Sequence, residues 1–309
     1  MPGSSGSYGK ALAVLVLGAC AIAFAPIFVR LAGAGPAAAG FWRLALALPA
    51  LLAMTLWSAR GRPGPALRPS LLGLLAGVFF ALDLGFWHYG IKLTTVANAT
   101  ILANLSPLVV TGAAWVMFKE RPAGGFLLGL LLALGGVRAI AAAHGAGVGI
   151  DPALGDALSV ATSGWYAAYM LTVRQARAGR TAAEVMFWSS LVGAPLLLAA
   201  SLVLHERIDP GPPGAWAACV GLAVVHVAGQ GSIAWALGRV PAAVASMAVL
   251  VQPVLAAVLG WLIFAEPMTG LQMAGGAAAL SGVALAQLAA ARQRQRSADA
   301  GLPGRPPSG

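Results

Sequence analysis

The chain has 309 residues, 59% of them hydrophobic and only 9% charged, with a mean hydropathy of +0.84. A soluble protein covers itself with far more charge, so this composition excludes a large soluble domain and points to the bilayer as solvent. The net charge of +10 would suggest nucleic acid in a soluble chain. Here the arginines stand between apolar segments and in the tail, where cytoplasmic loops carry them, and no nucleic-acid partner is expected.

A membrane-crossing helix needs about 20 mostly apolar residues. Ten such segments follow one another at 11–32, 37–57, 70–91, 95–118, 124–143, 153–173, 183–204, 213–237, 241–264 and 268–290. The polar start "MPGSSGSYGK" leads into an apolar run without a small-residue cleavage site, which reads as a retained first helix. Arg60, Arg62 and Arg68 precede the third segment, Lys119 and Arg121 the fifth, Arg174, Arg177 and Arg180 the seventh, and Arg239 the ninth. Arg292, Arg294 and Arg296 follow the tenth. Simple alternation puts all of these on one side, so the expectation is a multi-pass inner-membrane protein with both termini in the cytoplasm. Cys20 and Cys219 fall inside apolar segments and imply no disulfide framework.

Shifted by 146 residues, the chain matches itself without a gap. "NLSPLVVTGAAWVMFKE" from Asn104 lies over "LVQPVLAAVLGWLIFAE" from Leu250, so that Pro107 meets Pro253, Trp115 meets Trp261, Phe118 meets Phe264 and Glu120 meets Glu266. Gly129 meets Gly275, Gly136 meets Gly282, and the "FW" at Phe41 meets the "FW" at Phe187. In so biased a composition Ala, Leu and Gly matches are cheap, but in-register Pro, Trp, Phe and Glu are not. The expected organisation is a first unit over 1–147, a second over 148–291 and a basic, flexible cytoplasmic tail over 292–309. Each unit holds five segments, an odd number, so the second enters the membrane in the opposite sense. Inverted repeats of this kind mark secondary transporters, because exchanging the conformations of two like halves opens a central site to one side and closes it to the other. The fold class expected is an all-α integral membrane protein of ten transmembrane helices in two inverted five-helix repeats.

The stretches "FKERPAGGFLLGLLLALGGV" and "FAEPMTGLQMAGGAAALSGV" are similar to the Glu-then-glycine pattern that opens the fifth helix of each EamA-type unit. "AFAPIFVRL" and "GFWRLALALP" resemble that family's first and second helices, including the second-helix arginine, Arg43; Ser189 stands in its place in the second unit. The chain is thus identified, over nearly all its length, as resembling the drug/metabolite transporter superfamily with two EamA-type repeats. The resemblance implies a small-molecule carrier, proton-coupled or exchanging, often an exporter of amino acids and other metabolites. It also implies a central cavity lined by helices 1, 3, 4, 6, 8 and 9.

The polar residues inside the segments are the candidates for that site. Asp83 lies about mid-membrane in the third segment, at an insertion cost of about 2.5–3.5 kcal/mol, and such residues face a bundle interior or a wet cavity. Phe80, Asp83 and Trp87 share a stripe. Asp83 either takes up a proton or holds a substrate amine, or it forms a structural ion pair with Arg43 or Arg138. His88 is nearer the outer end of the same helix, where rim hydrogen bonding is the simpler reading and a pathway role the sharper one. His226 and Gln230 make a polar pair at i and i+4 in the eighth segment, for relay, ligand binding or plain core satisfaction. Asn104 and Gln252 serve either a pathway or interhelical bonding, and Pro107 and Pro253 suit gates that bend. Tyr166 and Tyr169 share a face suited to an amphipathic substrate, although packing alone also explains them. Glu120 and Glu266 read as structural carboxylates at helix starts.

No phosphate-binding loop ending in Lys and Ser or Thr occurs, so ATP-driven transport is not encoded. No HExxH or GxSxG is present, and the four histidines lack metal-ligand spacing, so no metal or cofactor is expected and an intramembrane enzyme stands only as the second reading, behind a transporter. A channel would want a ring of repeated polar groups, which two halves differing at most polar positions do not supply.

Overall fold

The computed structural model describes residues 4–60, 67–93, 102–103, 105–119, 121–142, 151–264 and 269–299, and among these every regular element is a helix. The first segment is two helices, α1 (Ser4–Ile22) and α2 (Ala25–Leu31), and the second is α3 (Pro36–Ala45) and α4 (Leu48–Ser58). Pro26, Pro36 and Pro49 each stand in the first turn of the helix that follows a break. A missing N–H costs nothing there, whereas mid-helix it would leave a carbonyl without a partner. The third segment is one unbroken helix, α5 (Leu71–Leu93), followed by α6 (Ser106–Phe118), α7 (Gly124–Ala142), α8 (Pro152–Ala176) and α9 (Ala182–Val203). α10 (Pro213–Val225) and α11 (Gly231–Leu237) flank a π-helical turn over His226–Gln230. The chain ends with α12 (Ala242–Val249), α13 (Val251–Phe264) and α14 (Gly270–Asp299).

Six spans are long and apolar enough to cross a membrane: Tyr8–Leu31, Pro36–Ser58, Leu71–Gly90, Ala182–Val203, Pro213–Leu237 and Met273–Ala290. The other four expected segments also carry helix but fall short of that measure. α6, α7, α12 and α13 are shorter apolar pieces. α8 has 25 residues, but Asp156, Ser159, Thr162 and Ser163 make it more polar. α14 continues to Asp299, beyond the apolar stretch that was expected to end at 290.

Helix starts show how local sequence sets the elements. Asp151 caps α8 by accepting from Leu154 N–H at 3.1 Å. Thr181 and Glu184 form a reciprocal capping box on α9, at 3.1 and 2.7 Å, which satisfies two of the N–H groups that every helix start leaves free. α3 begins at Gly35 with no such side chain.

Packing joins distant parts of the chain. The most extensive contact is α7 with α14, then α5 with α8, then α9 with α5, α3 and α4. α1 and α2 lie along α10, the π-turn and α11. Glycine permits the first of these. A Cβ on Gly129 would come within 2.6 Å of Gly282 O and Ala286 N, and one on Gly136 would strike Gly275 O and Ala279 N. The contact therefore moves backward along α14 as it moves forward along α7, so the two run antiparallel with their backbones touching.

Candidate functional site

Phe80 of α5, 2% exposed, is the centre around which the buried polar side chains gather. The Tyr169 ring of α8 stacks on it at 4.6 Å, and the His226 ring of the π-turn at 5.3 Å. The Arg43 guanidinium lies 5.5 Å from the same ring centre, within cation–π reach. Phe80 and His226 are themselves 146 residues apart. Equivalent positions of the two repeats thus touch each other at this point.

One turn along α5, Asp83 is buried and close enough to Arg43 for each charge to act on the other. No ion pair within 4.0 Å joins them among the described residues. Arg138, the other partner considered from the sequence, is exposed; α7 turns it away from the bundle, and among the described residues Arg43 is the cation that accompanies Asp83. On the other side, the Gln230 carboxamide lies beside the hydroxyls of both Tyr166 and Tyr169. Tyr166 and Tyr169 are 6.1 Å apart, ring centre to ring centre. Tyr169 donates its hydroxyl proton to Met186 Sδ at 3.5 Å. The Ser190 hydroxyl and His226 Nε2 are 3.0 Å apart.

Three polar atoms of this group have no hydrogen-bond partner among the described residues: Arg43 Nε, His226 Nδ1 and Gln230 Nε2. Leaving one such buried atom unpaired costs about 1–3 kcal/mol. Protein interiors avoid this, so a set of them within one cluster is a place where a water or a polar solute group can bind. A guanidinium N–H and an amide N–H are donors for a carboxylate or carbonyl, Asp83 is an acceptor for an ammonium, and the aromatic rings provide apolar walls. By their chemistry these groups can pair with a carboxylate, an ammonium and an apolar surface, and Asp83 and His226 can exchange a proton.

The other candidates fall in different places. His88 is buried rather than at a wet rim, with Nδ1 2.7 Å from Pro36 O, and so ties the end of α5 to the start of α3. Trp87 is half-buried with its ring 5.0 Å from that of His88. His226 and Gln230 do not form the α-helical stripe that i and i+4 spacing suggests, because they begin and end a π-turn. The wider turn leaves room for both side chains on the interior face, a usual setting for such turns at functional sites. Pro107 and Pro253 lie in the first turns of α6 and α13 rather than in helix interiors; α13 follows a turn at Leu250. Asn104, Glu120 and Glu266 lie outside the described residues.

Sequence reasoning passed over two residues, Ser190 and Glu206, and placed Phe80 on the Asp83 stripe without making it a site residue. Phe80 was legible as the register partner of His226. Ser190 carried no signal beyond its apolar neighbours. Glu206, in a loop of mixed charge, accepts from Ala38 N–H at 3.0 Å and from the Tyr89 hydroxyl; the uncapped start at Gly35–Pro36 was the signal for it.

The sequence profile of the EamA-like transporter family matches residues 9–142 and again 153–288. An uncharacterized transporter of Archaeoglobus fulgidus is 28% identical over 280 residues, 90% of this chain and 96% of its own. A pseudopaline exporter of Pseudomonas aeruginosa is 26% identical over 204 residues, 66% of this chain and 70% of its own. One solved crystal structure superposes with a TM-score of 0.76 at 20% identity, over 92% of this chain and 99% of its own, so the fold is a known one.

Proposed function

From the premise that the chain belongs to the EamA-like transporter family, we propose that it is a secondary-active exporter of small zwitterionic or amphipathic metabolites, amino acids among them. It works by alternating access of two inverted repeats, 1–147 and 148–291. Asp83, Arg43, Tyr166, Tyr169, His226, Gln230 and Gln252 line the solute and proton path, and Pro107 and Pro253 serve as hinges. Both termini face the cytoplasm across a cell membrane. Outward movement is supported by a relative named as an exporter, and orientation by the side on which the loop arginines fall.

The inverted arrangement is supported by packing. A shift of 146 residues exchanges the α5–α8 contact with that of α1 and α2 against α10 and α11, and maps α7–α14 and the contact of α9 with α3 and α4 onto themselves. The observation that carries the solute site is the set of unpartnered buried Arg43 Nε, His226 Nδ1 and Gln230 Nε2 around Phe80, with Asp83 alongside. They provide one pole for a carboxylate and one for an ammonium, within aromatic walls.

The test is efflux from liposomes loaded with a mixed pool of amino acids and related metabolites, followed by mass spectrometry with and without an inward proton gradient. Selective loss of zwitterionic solutes, accelerated by the gradient, is the expected result. Loss confined to uncharged apolar solutes, or no selective loss under either condition, would overturn it.

A further inference from the structure

The two repeats start their second segments differently. In the second, the Thr181–Glu184 box caps α9 from within its own first turn. In the first, the equivalent positions are Gly35 and Ala38, and neither can cap. The carboxylate comes instead from Glu206, 168 residues away in the loop between α9 and α10, which accepts from Ala38 N–H at 3.0 Å. The same carboxylate accepts from the Tyr89 hydroxyl at the end of α5. Around it the loop is held by Gly35 N–H to Arg207 O at 2.8 Å and Trp42 Nε1–H to Ile208 O at 2.8 Å. Trp42 and Trp216 pack edge to face at 4.7 Å, and His88 grips Pro36 O from α5. Gly35 is required while the Glu206 side chain is in place, because a Cβ there would lie 2.5 Å from Glu206 Oε2 and 2.6 Å from Glu206 Cβ. On the opposite face, the matching join between the loop before α9 and the end of α4 is a contact of 3.4 Å between the Ser58 and Thr181 hydroxyls.

We propose that Glu206 is a gate latch. By capping α3 in trans and holding Tyr89, it closes the face of the molecule that carries the 205–210 loop, and it must let go each time the central site opens to that face. A helix that needs its cap from another repeat is stable only while the two repeats are together, so helix capping and gate closure become one event. The second repeat, with its cap in cis, has no such coupling. Glu206 is a positioning residue: it acts on access to the site and does not touch the solute. The inference rests on the alternating-access reading, but its test needs no solute.

The test reads the accessibility of a cysteine placed at Leu84, a buried position one turn from His88 toward Asp83, with Cys20 and Cys219 replaced by alanine. Labelling by a membrane-impermeant maleimide is timed in intact proteoliposomes. Glu206→Ala should raise the rate by about tenfold, the shift expected when one charge-assisted hydrogen bond leaves a closed–open balance. Tyr89→Phe should raise it by less. The decisive variant combines Gly35→Thr and Ala38→Glu with Glu206→Gly, which removes the Cβ that a side chain at 35 would otherwise meet at 2.6 Å, and so rebuilds the cis box of the second repeat. If Glu206 is a latch, hydrogen exchange over 36–40 returns to the slow parental rate while labelling stays fast. If Glu206 only stabilises a helix end, the rebuilt cap restores slow labelling too, and the proposal falls. It also falls if Glu206→Ala leaves labelling unchanged. A chain that labels as expected but moves no solute would count against the transport reading and leave the latch standing.

Discussion

Two seams occupy corresponding places in the two repeats: α1 against α10 and α11, and α5 against α8. In the first, Gly18 and Gly229 meet backbone to backbone; a Cβ on Gly18 would lie 2.8 Å from Gly229 O, and one on Gly229 2.6 Å from Ile22 Cγ1. In the second, the register partner of Gly229 is Asp83 and that of Gly18 is Gly164, where an added Cβ would meet nothing within 4 Å. At that depth the join is made by rings, Phe80 on Tyr169 and Phe79 and Phe86 on Trp165, the latter two at 6.2 and 6.0 Å. Toward the end of α5, Gly90 admits α8 closely, a Cβ there lying 2.6 Å from Ser159 Oγ. At the depth of Asp83 and Gly229, one seam is thus closed by the smallest residues, the other held by large side chains with a carboxylate among them. Backbone contact between helices suits a fixed joint. Side-chain contact leaves room for polar groups and for change. The repeats share a plan, but only one of them carries the charge.

The largest effect expected from breaking this comparison comes at Asp83. Asp83→Asn should abolish gradient-driven efflux while the protein stays monodisperse in detergent. Failure to accumulate would instead assign Asp83 to compensating buried Arg43, since stripping one member from a buried charge pair costs about 3–5 kcal/mol. Next comes the closed seam. Gly18→Ala should destabilise by about 1–3 kcal/mol through overpacking, read as a lower thermal midpoint, while Gly164→Ala should be neutral or gain up to about 1 kcal/mol from helix propensity. Equal midpoints for the two would remove the distinction between the seams. His226→Phe, which copies Phe80 into the second repeat, should keep the stack and the midpoint but raise the apparent KM by about tenfold, the worth of one or two hydrogen bonds. The smallest effect is assigned to the hinges: Pro107→Ala with Pro253→Ala should slow turnover by a few-fold with little change in binding, and unchanged turnover would leave the prolines as helix starts only.

Much of this was legible in the chain itself. Hydropathy located the six spans long and apolar enough to cross a membrane, because lipid demands long apolar runs, and the 146-residue register pairs Phe80 with His226. Asp83 and Arg43 stood out because charge inside such a run is costly. Choosing between Arg43 and Arg138 was beyond sequence, since both lie at plausible depth and only the rotation of α3 and α7 decides. The π-turn at His226 was also hidden: one residue of extra winding leaves no mark on composition, yet it widens the turn that carries His226 and Gln230 to the interior. Glu206 escaped for a different reason. Its partners at Ala38 and Tyr89 are over a hundred residues away, and a helix start that lacks a cap says that one is needed without saying where it comes from.

The central claim is that Asp83, on the side-chain seam, carries the proton that drives the solute. It is tested most directly by trapping a pH-reporting dye inside proteoliposomes and starting efflux of a solute found to be carried. The account predicts that the lumen acidifies as solute leaves through the parental protein, and that Asp83→Asn shows no acidification while still exchanging labelled for unlabelled solute. Acidification by Asp83→Asn at the parental rate would contradict it.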